Sequence, residues 1–140
     1  MKWNFNILIA VTVLLFTACD AGVQSTQTIP LPMQTETSSG AYQASCVFNP
    51  IPIPRNEYVT MTLTLQRADG ADLSPELAIK VDADMPSHGH GINTEPEIKK
   101  LSDGKYEVKG LLFHMGGDWE LYIDVIEDDI PDRATIPFNL

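Results

Sequence analysis

The sequence predicts an all-β domain, an immunoglobulin-like antiparallel β-sandwich of about seven strands. Apolar and polar residues alternate with a period of two in several short segments, turn-forming residues separate them, and no segment carries a convincing helical period. The clearest case is residues 58–66, Tyr-Val-Thr-Met-Thr-Leu-Thr-Leu-Gln. Val59, Met61, Leu63 and Leu65 share one face, and Thr60, Thr62 and Thr64 share the other.

The remaining elements follow in order. Residues 42–48 form a strand ahead of Pro50, Pro52 and Pro54, which cannot donate ladder hydrogen bonds and suit an irregular crossing or a sheet edge. After the 58–66 strand, Arg67-Ala68-Asp69-Gly70-Ala71-Asp72 is turn chemistry. Leu77, Ile79, Val81 and Ala83 then alternate with Ala78, Lys80 and Asp82 in a second half-buried strand. Residues 98–101 give a short strand, closed by the turn Ser102-Asp103-Gly104 onto residues 105–113. In that segment Tyr106, Val108 and Leu112 face inward, with Glu107 and Lys109 outward. Residues 118–126 place Trp119, Leu121, Ile123 and Val125 on one face, and residues 135–138 supply the last strand.

The N-terminus indicates the compartment. Lys2 precedes a ten-residue apolar run at 7–16 with a single Thr, the h-region of a signal peptide and too short to span a bilayer. Leu15-Phe16-Thr17-Ala18-Cys19 resembles a bacterial lipobox, with Phe16 where Leu is preferred. That motif implies cleavage after residue 18 and diacylglycerol on the Cys19 thiol, so the membrane contact is a lipid anchor. Residues 1–18 are then the lipoprotein signal peptide, residues 19–40, rich in Ser, Thr and Gln, a lipidated flexible tether, and residues 41–140 the domain. The expected location is the cell envelope, facing the periplasm or the outside. Asp20 resembles an inner-membrane retention signal if the envelope is Gram-negative.

Charge narrows the partners. The chain has 9 Lys+Arg against 19 Asp+Glu, a net of −10. Cleavage would remove only Lys2 and leave −11. No basic patch exists for nucleic acid, and attraction to anionic lipid is not expected. The acidic run Asp124, Glu127, Asp128, Asp129 reads as a solvated face rather than a calcium loop. With Cys19 lipidated, Cys46 has no disulfide partner. It reads as a small buried hydrophobe, with a thiolate metal ligand as the sharper alternative.

All three histidines fall in two short patches, each with a methionine: Met85-Pro86-Ser87-His88-Gly89-His90-Gly91 and His114-Met115-Gly116-Gly117. Imidazole and thioether together suit copper in either oxidation state, whereas zinc has no use for Met. The candidate metal ligands are Met85, His88, His90, His114 and Met115. Each also has a plain reading. Met85 continues the inward parity of residues 77–83 and could cap the core. His114 follows Leu112 and could be a rim histidine, and His88 and His90 could be exposed loop residues. Met115 has outward parity unless a bulge re-aims it. Strand polarity makes a geometric claim. If 77–83 runs up, 98–101 down and 105–113 up again, both patches arrive at one end of the sandwich.

Met85-Pro86-x-His88-Gly89-His90-Gly91, Asp103-Gly104-Lys105-Tyr106 and Gly110-Leu111-x-Phe113-x-Met115-x-Gly117-x-Trp119-Glu120-Leu121 resemble the YtkA-like domain family, small bacterial envelope β-domains related to FixH-type proteins. The resemblance covers about residues 41–128. It implies an immunoglobulin-like sandwich similar to copper-binding periplasmic domains, with Met85, His88 and Met115 at the suspected ligand positions, His90 and His114 as additional candidates here, and Trp119 as a core anchor. No apolar run in the 140 residues is long enough to be expected as the transmembrane helix typical of FixH-type relatives.

Two function classes follow. One is a membrane-anchored extracytoplasmic binding protein holding a copper ion, as a chaperone, buffer or sensor. The other is a metal-free protein-interaction or accessory module that docks on an envelope partner. An enzyme is not expected, because no Ser or Cys nucleophile is paired with a His in a recognisable motif and no phosphate-cradling loop occurs.

Overall fold

A computed structural model describes residues 31–140, so the signal segment, Cys19 and most of the expected tether lie outside the described residues. The strands are β1 (Met33–Glu36), β2 (Tyr42–Asn49), β3 (Tyr58–Arg67), β4 (Ala78–Met85), β5 (His90–Gly91), β6 (Glu97–Ser102), β7 (Lys105–Leu112), β8 (Asp118–Glu127) and β9 (Ile130–Asn139). They form two antiparallel sheets, β1-β2-β3-β7-β6 and β5-β4-β8-β9. The fold is the expected all-β sandwich, with nine described strands instead of about seven. The additional ones are β1 and the two-residue β5, both too short to show a period in sequence.

The alternation along each strand builds the core. Tyr42, Ala44, Cys46 and Phe48 of β2 lie beside Val59, Met61, Leu63 and Leu65 of β3 on one inner face, and across the sandwich lie Val81, Ala83 and Met85 of β4 and Trp119, Leu121, Ile123 and Val125 of β8. All of these are buried, many completely. Phe48, Phe113 and Phe138 pack edge-on or tilted with centroids 5.4–6.0 Å apart near one end of this layer. Aromatic packing of that kind adds to the area term that drives the two sheets together.

Two expectations need correction. The tether does not extend to residue 40, because residues 33–36 pair with β2 from Met33↔Cys46 to Glu36↔Gln43. Met33 is buried and supplies the apolar contact, while the Ser and Thr residues that suggested a flexible segment are drawn into hydrogen bonds. Ser38 N–H donates to Arg133 O at 2.8 Å and Ser39 Oγ donates to Asp132 at 2.5 Å. Thr37 bridges Ala134 of β9, so this segment stitches one sheet to the other.

The second correction concerns β7. Thr60 pairs with Lys109 and Val59 with Leu111, which leaves Gly110 unpaired in a bulge with φ of +86°. Parity therefore switches at Gly110. Leu111 and Phe113 are buried, and Leu112, expected inward, is the half-buried outward residue. Period-two counting through the glycine gives the wrong face to Leu111, Leu112 and Phe113.

The long edge strand β9 is closed to further pairing. Arg133 O points away from β8 to accept from Ser38, so Pro131 and Pro137, two and four residues away, carry their missing donors on the same outer edge. On the solvent face Arg133 grips both oxygens of Asp124 at 2.6 and 2.8 Å and lies over the Tyr122 ring at 4.6 Å.

Replacing Gly110 with Ala should lower stability by about 1–2 kcal/mol, the strain of a β-carbon in a left-handed conformation. Chemical denaturation checks this, and an unchanged midpoint would show that the bulge is not set by the glycine.

Candidate metal centre

Sandwich polarity brings the two histidine patches together. β4 runs to one end and finishes at Met85. Residues 86–89 turn there, with His88 N–H and Gly89 N–H donating to Met85 O at 2.9 and 3.0 Å. The chain returns along β4 as β5, so that His90 lies directly opposite Met85. In antiparallel pairing, directly opposed side chains occupy one face with β-carbons roughly 4.5–5.5 Å apart. β7 rises antiparallel to β6 and reaches the same end with Phe113 and His114.

The segment carrying His114 is fastened at several points. Asn56 N–H donates to Phe113 O at 2.9 Å, and the Trp119 indole N–H donates to Met115 O at 3.0 Å. Gly117 and Leu140 exchange both backbone hydrogen bonds, at 2.8 and 3.0 Å. At Gly117 φ is +125°, and a β-carbon there would stand 3.0 Å from the Met85 methyl group. Glycine at this position thus lets the second patch close over Met85 of the first.

The rings form a continuous series. His88 and His90 have centroids 5.8 Å apart, His90 and His114 5.0 Å, and His114 packs T-shaped with Trp119 at 5.7 Å. Burial grades along it, with His88 exposed, His90 and His114 half-buried and Trp119 fully buried. Three buried side-chain polar atoms among the described residues lack a hydrogen-bond partner: His90 Nδ1, His114 Nδ1 and Thr94 Oγ1. Two are imidazole nitrogens of the paired rings. An unpartnered buried nitrogen costs free energy unless something occupies its lone pair or takes its proton.

A metal ion about 2.0 Å from a ring nitrogen stands roughly 3.1 Å from the ring centroid, so two imidazoles on one ion have centroids about 5.1 Å apart at a tetrahedral angle and about 6.2 Å apart if linear. The His90–His114 separation of 5.0 Å matches the tetrahedral case. Among the described residues no three His, Cys, Asp or Glu side chains converge closely enough to hold an ion, so His88 does not join the other two on one point.

The five candidate residues thus take different places. His90 and His114 come together. Met85 is wholly buried, as its parity indicated, yet it lies across the ladder from His90. His88 stands outside the pair. Met115 is 37% exposed at the rim, with its carbonyl committed to Trp119. The expected inward parity of His114 is overturned by the Gly110 bulge; His114 is half-buried because the loop beyond Leu112 leans it on Trp119. Sequence reasoning missed this Trp119 contact, although the spacing of five residues across a double glycine was its one available signal.

Two other candidates are settled by their surroundings. Cys46 is fully buried on β2, and burial pushes its thiol up to about 12, which disfavours a thiolate there. In the acidic run, Arg133 takes Asp124 and holds its carboxyl below the usual range, while Glu127 accepts from the Tyr42 hydroxyl at 2.6 Å and from Arg67 at 3.3 Å. Labelling the native protein with a thiol-reactive disulfide at pH 8 should give the same count for wild type and Cys46→Ala. A native count lower by one in the variant would contradict the burial of this thiol.

No curated protein and no solved structure matches the chain. The model of the YtkA-like family matches residues 36–124, more than half of the chain and a span that includes both histidine patches and Trp119. The chain belongs to the YtkA-like family.

Proposed function

We propose that this chain is a membrane-anchored extracytoplasmic copper-binding protein that acts as a chaperone, buffer or sensor. The observation that carries the proposal is the His90–His114 pair, two half-buried rings 5.0 Å apart whose Nδ1 atoms are buried without partners. The ion would be held by these two nitrogens, with the Met85 thioether as the soft group on the core side and Met115 at the rim. Two imidazoles beside thioethers favour copper over zinc, which gains nothing from methionine sulfur. The lipobox at Cys19 supports an anchor on the envelope side of a membrane, where such a domain would meet a protein partner. The chain carries no catalytic role in this proposal.

Cu(I) titrated into the protein against a chromophoric chelator should compete at sub-micromolar affinity, and His90→Ala or His114→Ala should each weaken binding by about tenfold or more. No competition by the wild type would overturn the copper proposal.

A second reading is favoured by exposed apolar residues at the same end. Ile51 and Tyr58 are 46% and 69% exposed and, like Met115, lie at the end of the sandwich where β7 finishes. A metal-free accessory module would dock on an envelope partner through them. Partner binding unchanged by copper and by His114→Ala, but lost with Tyr58→Ala, would support this alternative.

A further inference from the structure

We infer that His88 is an entry ligand, a residue that passes copper between solvent and the His90–His114 pair without holding it at rest. The inference rests on the copper reading above and adds a separate role for one residue. Three features carry it. The ring contacts run in series, His88 to His90 at 5.8 Å and His90 to His114 at 5.0 Å. The three imidazoles do not converge as a group able to hold an ion. Exposure falls along the series, and the unpartnered buried Nδ1 atoms belong to the inner two rings only.

The 5.8 Å spacing is too wide for His88 and His90 to share an ion at a tetrahedral angle, which needs about 5.1 Å, and suits a more open two-ligand state on the way in. His88 lies at the middle of the turn 86–89, tied to Met85 O only through its backbone N–H at 2.9 Å, so its side chain is at liberty to rotate. Entry then proceeds by ligand exchange. The bond from Cu(I) to its donor breaks as a bond to a His88 ring nitrogen forms. A bond to His90 forms next, and the His88 bond breaks as His114 engages. Each imidazole supplies the lone pair of an unprotonated nitrogen, copper stays Cu(I) throughout, and no electron or proton is transferred. Exit is the same path reversed.

A ligand used only in transit changes rates in both directions by one factor and leaves the equilibrium alone. Anaerobic stopped-flow exchange of Cu(I) between the full chain and a chromophoric chelator reads both directions. With His88→Ala, uptake and release should each slow roughly tenfold, equivalent to about 1.4 kcal/mol on the exchange barrier, while Kd stays unchanged. With His114→Ala, Kd should weaken at least about tenfold. A weakened Kd in His88→Ala would make His88 a resident ligand, and unchanged rates would make it a bystander; either result overturns the inference. Absence of Cu(I) binding by the wild type would be the distinct failure of the copper reading itself.

Discussion

The Trp119 side chain joins the core of this sandwich to its histidine pair. Its indole is fully buried, packs edge-on against Phe113 at 5.1 Å and His114 at 5.7 Å, and donates its single N–H to Met115 O. A buried indole with no acceptor would be costly, so the loop carbonyl that satisfies it is held where the tryptophan needs it. His114 and Met115 inherit their position from that hydrogen bond. The packing that stabilises the fold and the geometry of the candidate site are the same contacts.

This arrangement also explains why a polar pair sits at the mouth of an apolar core. Met85, paired with His90 across the β4–β5 ladder and wholly buried, carries the core to the end of β4 where His90 stands. The Nδ1 atoms of His90 and His114 are buried and have no protein partner. Under the proposed copper reading, imidazole and thioether donors would favour a soft cation over a hard one that needs oxygen ligands.

Much of the fold could be read from residue alternation. The β3 and β8 patterns named their buried faces residue by residue, and strand polarity alone brought residues 85–91 and 113–117 to one end. What could not be read had local causes. Gly110 inserts one residue into β7 and reverses the parity of the rest of the strand, so Leu111 rather than Leu112 enters the core. The β1 segment is four residues long and polar at most positions, and only its pairing with β2 and its bridge to β9 make it a strand. Within the site, composition offered five candidate ligands, and the family resemblance put Met85, His88 and Met115 ahead of His90 and His114. Distinguishing the His90–His114 pair from the outlying His88 needed β5, a two-residue element whose direction no sequence period could reveal.

The central claim is that His90 and His114 face one ion over the Met85 sulfur. X-ray absorption of the Cu(I)-loaded protein reads that coordination shell directly. Two imidazole nitrogens with at least one sulfur, the sulfur signal falling in Met85→Leu, is the expected result. A shell of three imidazoles, or of nitrogen and oxygen with no sulfur, would contradict it.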